Sequence, residues 1–313
     1  MASPTLAGQR TEQHPEHRQG VILGATAYGL WGLFPLYWTL LSAAGALETL
    51  AHRMMWSLFA VLIVLVWTKR FASFRAVLGN RRQMLLLTAA AVLISANWGA
   101  YIWGVNHGRV VETALGYFTG PIVSVLIGVL LLGERLRRAQ WVAVGLGVGA
   151  VVVLAVGYGE VPWIALVLAF SFSTYGLVKK LAGVGAVESM AVETGVTLVP
   201  ALAYVIYVQA TGTGTFTNHG IGHALLLIGG GFVTMLPLLA FGGAAVRIPL
   251  SMIGMLQYLA PVLQFAFGVL VFHESMPPER WLGFAIVWAA LVVLTIDGLG
   301  RRTPRTLEPE PVP

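Results

Sequence analysis

The amide of Asn97 lies near the middle of an apolar run, in Asn97-Trp98-Gly99-Ala100-Tyr101. An amide removed from water must find partners, so Asn97 either recognises a solute or clamps two helices together. A second set is ionisable. Glu48, His52 and Arg53 open another apolar run, and an offset of 140 residues places Glu188 opposite Glu48 and Glu193 opposite Arg53. Arg53 and Glu193 are either a salt bridge across a symmetry axis or two unrelated charges. Ionisable groups inside apolar runs are functional candidates, and Glu193, with His52 second, is the candidate to carry a proton in a coupled cycle. Prolines at Pro35, Pro121, Pro200, Pro237 and Pro261 interrupt such runs. Each lacks the N–H that would bind the carbonyl four residues earlier, which for Pro121 and Pro261 belongs to Tyr117 and Gln257. Those breaks either line a ligand cavity or bend a helix; their flanks, Gly116-Tyr117 and Gln257-Tyr258, favour the cavity and make Gln257 a second solute-orienting amide.

Other chemistries lack their residues. The chain has no cysteine, which excludes disulfides, thiolate metal sites and cysteine nucleophiles. His273-Glu274 starts like a zinc-protease motif without the second histidine, and neither a nucleophile elbow nor a phosphate-binding loop is present. Gly145-x-Gly147-x-Gly149 has no preceding strand and reads as helix packing rather than a dinucleotide fingerprint. No metal, cofactor or catalytic group is expected. The net charge of +6 is not arranged as a basic stripe interleaved with aromatics, so nucleic acid is not the expected partner.

The elements that position these residues are membrane spans. Of 313 residues, 57% are hydrophobic and 10% charged, far from a soluble protein with about a quarter charged. Apolar runs long enough to cross a bilayer fall at 20–42, 48–68, 84–106, 112–132, 139–157, 162–179, 187–208, 224–244, 250–272 and 280–298. The first is too long for a signal-peptide core and is expected to remain as a span. The pattern Pro121-x6-Gly128-x5-Glu134-x6-Trp141 recurs as Pro261-x6-Gly268-x5-Glu274-x6-Trp281, so one unit is present twice. The acids Glu134 and Glu274 are expected to be structural, capping the next helix or accepting from loop backbone.

Short loops rich in Lys and Arg stay in the cytoplasm. Ten spans put sixteen of the nineteen basic residues on the side of both tails, so both termini are expected to be cytoplasmic. Glu134 then lies inside and Glu274 outside. Five spans per copy is an odd number, so the copies are inverted, an arrangement typical of secondary transporters. The expected organisation is an all-α polytopic membrane protein. A cytoplasmic tail (1–19) precedes the first five-helix repeat (20–157), and the second repeat (162–298) precedes a disordered cytoplasmic tail (299–313).

Glu48 with His52-Arg53 and Trp56-Ser57, then Asn97-Trp98, Trp103-x-Val105-Asn106, Glu112, Leu115-Gly116-Tyr117-Phe118, Gly133-Glu134-Arg135, Gln140-Trp141, Ser171-Phe172, Tyr175-Gly176-Leu177-Val178, Glu193-Thr194 and Gln257-Tyr258-x-x-Pro261 resemble the RarD (chloramphenicol-sensitivity) proteins. These are a branch of the EamA group in the drug/metabolite transporter superfamily, and the likeness covers essentially all ten spans. It implies an inner-membrane permease with a central cavity walled by spans one, three, four, six, eight and nine. Tyr28, Trp31, Asn97, Tyr101, Tyr117, Tyr175 and Tyr258 would line it. One departure is visible: His273 stands in the second copy where the first has Gly133.

The leading expectation is a transporter moving a small amphipathic or amino-acid-like metabolite out of the cytoplasm by alternating access. Its partners would be that solute, the lipid bilayer and a coupling proton or counter-substrate, with a homodimer through the Gly-rich fifth span as a candidate assembly. The alternatives are a non-transporting receptor or scaffold and, behind it, an intramembrane lipid-modifying enzyme.

Overall fold

The computed structural model describes residues 6–132, 136–245, 247–248 and 250–299. Glu134 and the tail from residue 300 onward lie outside the described residues. Thirteen α-helices follow in order: α1 Leu6–Gly32, α2 Phe34–Thr39, α3 Gly45–Trp67, α4 Phe71–Gly79, α5 Arg81–Asn106, α6 Val110–Leu132, α7 Arg138–Tyr158, α8 Trp163–Ala182, α9 Ala186–Ala210, α10 Gly220–Ala245, α11 Leu250–Leu256, α12 Leu259–Leu270 and α13 Pro278–Leu299. In lipid a backbone must satisfy its own hydrogen bonds, which is why apolar runs of this length fold as helices. Nine helical segments among the described residues are long and apolar enough to cross a membrane.

Most boundaries follow the sequence, and their causes are local. Asn80 caps α5 by accepting from the Gln83 amide at 3.1 Å. Gly159, at φ +71°, ends α7 in the left-handed conformation that a glycine reaches without strain. Three expectations change. The stretch before residue 20 is helical from Leu6 rather than a separate tail. The basic loop after α3 folds into α4, held by the burial of Val77. The expected run 250–272 is two helices, broken at Gln257 and Tyr258.

That break separates two copies of one motif. Pro121 sits inside an unbroken α6. Pro261 instead falls in the first turn of α12, where a helix has no bond for a missing N–H to lose.

The chain divides into two compact units. The larger comprises residues 1–120 and 163–275. In it α3 packs on α9 and α10, α5 on α8 and α9, and α1 on α10 and α12. One buried cluster in it joins Phe34, Trp38 and Leu41 to Tyr101, Ile102, Val105, Ile164, Leu168 and Leu227. Close approach of α10 to α3 requires Gly231, where a Cβ would meet the backbone of Trp56 and Ser57.

The smaller unit comprises residues 121–162 and 276–313, with α7 packed on α13. Small residues set this contact too. A Cβ at Gly283 would strike Leu154 and one at Gly157 would meet Glu279, while one at Gly147 would meet Ile122 of α6. Gly145 and Gly149 face open space, so of that glycine series only Gly147 packs a helix. Arg137 and Asp297 form an ion pair within the same unit.

Candidate functional site

Asn97, on α5, is fully buried. Its Nδ2 donates to the Leu168 carbonyl and to Ser171 Oγ, both at 3.0 Å on α8, and its Oδ1 accepts from the Tyr117 hydroxyl at 3.2 Å. Both donor hydrogens are therefore spent between helices. Of the two readings of this amide, the geometry here is that of a clamp.

Glu193 and Arg53 go to separate partners. Glu193 accepts from Lys179 at 2.7 Å, Ser189 at 2.6 Å and Tyr175 at 3.0 Å, so a lysine four residues beyond that tyrosine on α8 neutralises it. Arg53 is 2% exposed, and its Nε donates to Thr234 Oγ1 of α10 at 2.9 Å. The salt bridge between Arg53 and Glu193 does not form: Glu193 pairs with Lys179 of α8, while Arg53 is held by the neutral Thr234 of α10. Around the guanidinium stand Trp98 at 3.7 Å, Trp38 at 4.9 Å and Phe34 at 5.6 Å from its carbon to the ring centres. His52, also buried, stacks on Phe216 with centroids 4.8 Å apart, and neither ring nitrogen has a hydrogen-bond partner among the described residues.

The expected cavity residues form two aromatic chains. Tyr28 meets Trp31 edge-on at 5.2 Å, and both meet Phe241 of α10. Tyr101 packs on Tyr117 at 5.7 Å, and Tyr117 continues through Phe172 to Tyr175. Trp31 and Tyr117 also pack against the buried cluster that contains Phe34, Trp38 and Tyr101. Gln257 and Tyr258 occupy the break between α11 and α12. Pro35 opens α2 just past the break at Leu33, while Pro237, like Pro121, lies inside a continuous helix.

Three buried or half-buried carboxylates serve backbone amides. Glu48 accepts from Thr215 at 2.8 Å and Phe216 at 3.3 Å. Glu112 accepts from Ile164 at 3.0 Å, at the N-terminus of α8, and pairs with Arg109 at 2.7 Å. Glu274 accepts from Val110 and Val111, so it caps α6 rather than the helix that follows it. Negative charge at a helix N-terminus is stabilised by the unpaired N–H groups there. Sequence reasoning missed Phe34, Trp38 and Thr234 as partners of Arg53. The signal was slight: Phe34 and Trp38 are four apart and share a helix face.

A bundle of membrane-length helices with ionisable and aromatic residues buried between them defines a multi-pass membrane protein, and the comparisons give its class. Residues 18–156 match the EamA-like transporter family. The chain is 59% identical over 295 residues to Protein RarD of Streptomyces exfoliatus, covering 94% of each chain. It is 42% identical over 292 residues to the uncharacterized transporter YojE of Bacillus subtilis, covering 91% of this chain and 96% of that one. It is 38% identical over 282 residues to Protein RarD of Escherichia coli, covering 90% and 95%. A solved structure described only as "Crystal structure of protein" superposes with a TM-score of 0.56 at 18% identity, covering 91% of this chain and 99% of that one, which bears on fold alone. The chain belongs to the EamA-like transporter family, and within it to the RarD branch.

Proposed function

We propose that this protein is a secondary transporter that exports a small metabolite or amino-acid-like solute across the inner membrane by alternating access. Two inverted repeats, 20–157 and 162–298, exchange roles around a midplane site, and both termini are cytoplasmic. In this reading α11 and α12 together make the ninth crossing, which with the nine long helices brings the total to ten: 21 residues at 1.5 Å each span roughly 30 Å.

The observation that carries the reading is the pattern of helix partners. A five-span offset exchanges the third and sixth spans with the eighth and first. It maps the second and seventh, and the fifth and tenth, onto themselves. The packed pairs α5 with α8, α1 with α10, α3 with α9 and α7 with α13 are the pairs this exchange requires. Membership of a transporter family supports the same conclusion. Because each copy carries its own proline and acidic turn, a rocking motion can interconvert two states of similar energy. The residues proposed to face the solute are Trp31, Tyr101, Tyr117, Tyr175 and Tyr258. Asn97 is omitted from that set because its donors are already used.

Reconstitution into lipid vesicles tests this directly. Uptake or counterflow of at least one solute from a broad metabolite panel, under an imposed proton or exchange gradient, is the expected result. Failure of every solute to move under either gradient overturns it.

A further inference from the structure

Among the described residues, Arg53 is a buried cation with no anion. It sits eight residues into α3, roughly 12 Å along the helix axis from Gly45, and is 2% exposed. Its Nε is satisfied by Thr234, whose own hydroxyl donates to the Gly230 carbonyl at 2.8 Å. Its Nη1 has no hydrogen-bond partner among the described residues. The buried carboxylates have gone elsewhere: Glu48, Glu112 and Glu274 to backbone amides, Glu193 to Lys179, and Glu188 to Arg70 at 3.5 Å. Aromatic faces surround the guanidinium on Trp98, Trp38 and Phe34, and cation–π attraction offsets only part of the cost of taking it out of water.

The neighbouring groups are donors as well. The Tyr101 hydroxyl and the Trp38 indole N–H are buried without partners. Tyr101 belongs to the buried cluster that holds Phe34 and Trp38, and Tyr117 packs against it. The guanidinium and the indole can only donate and the Tyr101 phenol can also donate, so together they are complementary to a group that accepts. The chemistry that fits a planar fork with a single positive charge is a carboxylate, held by parallel N–H bonds. No second cation accompanies Arg53 in the box among the described residues, which disfavours a phosphate dianion. The aromatic walls suit a flat or apolar group attached to that carboxylate.

We propose that Arg53 is the anion-recognising group of the solute site, and that the transported solute is a monoanion bearing a carboxylate beside an aromatic or apolar moiety. This rests on the transporter reading above. The box is shut in this conformation. Two of its walls, Phe34 and Trp38, belong to the six-residue α2, which is jointed to α1 at Leu33, so displacement of α2 is the motion that opens it.

The test uses the full chain in lipid nanodiscs with matched probes, phenylacetate and its neutral isostere phenylacetamide. Binding is read by equilibrium dialysis and by the shift in thermal midpoint. Phenylacetate should bind and stabilise, and phenylacetamide should do neither. R53K keeps the charge but loses the fork, so it should weaken phenylacetate binding about ten-fold or more while leaving the unliganded midpoint near wild type. R53Q should abolish binding; should it fail to fold, R53K and Y101F carry the comparison, the latter weakening binding by a smaller factor. Equal binding of the two probes, undiminished binding to R53K, or no binding of phenylacetate overturns the anion site. Vesicle assays separate the two readings. Movement of neutral or cationic solutes alone sinks the carboxylate site and leaves the transporter standing. Arg53-dependent binding with no solute moved does the reverse.

Discussion

Glu274 closes the N-terminus of α6 through Val110, whose amide donates to its Oε1 at 2.5 Å while Val111 donates to Oε2 at 3.0 Å. The two partners are 164 residues apart in the chain. Each oxygen takes one of the amides that an α-helix leaves unsatisfied at its start, so the acid of one motif copy fastens the helix that carries the other copy's proline. Replacing Glu274 by Ala should cost about 1–3 kcal/mol, the penalty for leaving charge-assisted bonds unmade. Gln, which can still accept one bond, should cost less. Hydrogen exchange over residues 109–112 is the direct readout: faster exchange in the Ala variant is expected, and unchanged protection would remove the cap from the account.

His273, immediately before that glutamate, has φ +53°. A left-handed backbone costs a residue with a Cβ roughly 1–2 kcal/mol, which glycine avoids. The position is the one at which the first copy carries Gly133. His273→Gly should therefore hold or raise the melting temperature in detergent, whereas the β-branched His273→Val should lower it. The opposite order would mean that the imidazole itself holds the turn.

Asn97 binds α5 to α8 through two donors and to Tyr117 through its acceptor. Asn97→Leu should destabilise by about 1–2 kcal/mol, in the upper range for polar contacts between membrane helices. Solute affinity in the variants that fold should stay close to wild type. Loss of affinity at unchanged stability would return Asn97 to the binding site.

Glycine substitutions separate packing from mere composition in α7. Gly147→Ala places a methyl against Ile122, while the same change at Gly145 or Gly149 meets nothing within 4 Å. Overpacking of a close contact costs about 1–3 kcal/mol. Size-exclusion profiles and melting curves should show a defect for Gly147→Ala alone. A matching defect at Gly145 or Gly149 would point to a further surface packed on that face.

Gly231→Ala tests the closest helix approach in the larger unit, since its methyl would meet the backbone of Trp56 and Ser57, which cannot rotate away. The variant is expected to express poorly or melt early, and it should do so more severely than Gly242→Ala, where there is open space. Similar behaviour of the two would show that α10 can shift along α3 without loss.

Helix positions were legible because lipid leaves a chain few options: a run of apolar side chains between charged or glycine-rich breaks has to be a helix. The α7–α8 boundary was marked by Gly159 and Pro162. The site was legible as a set of residues more than as a set of contacts. Arg53 stood out as a charge inside a span, but its hydrogen-bond partner is 181 residues away, and its three aromatic neighbours come from α2 and α5. Symmetry set Glu193 opposite it and left a salt bridge or two unrelated charges as the choices; Glu193 instead pairs with Lys179, one turn beyond Tyr175. Glu274 was recognised as a cap, but which helix it caps is a fact of tertiary packing. The fracture at Gln257 could be anticipated from Pro261, yet the same argument applied to Pro121 predicts a fracture that α6 does not have.

One motif thus occurs in a single chain within a continuous helix, α6, and beside a break, between α11 and α12. An unbroken helix satisfies its backbone by its own ladder, while a break leaves carbonyls and amides that must find partners elsewhere in the apolar layer. The two copies of the motif therefore make unequal demands on their surroundings for backbone hydrogen bonds, however similar their sequences.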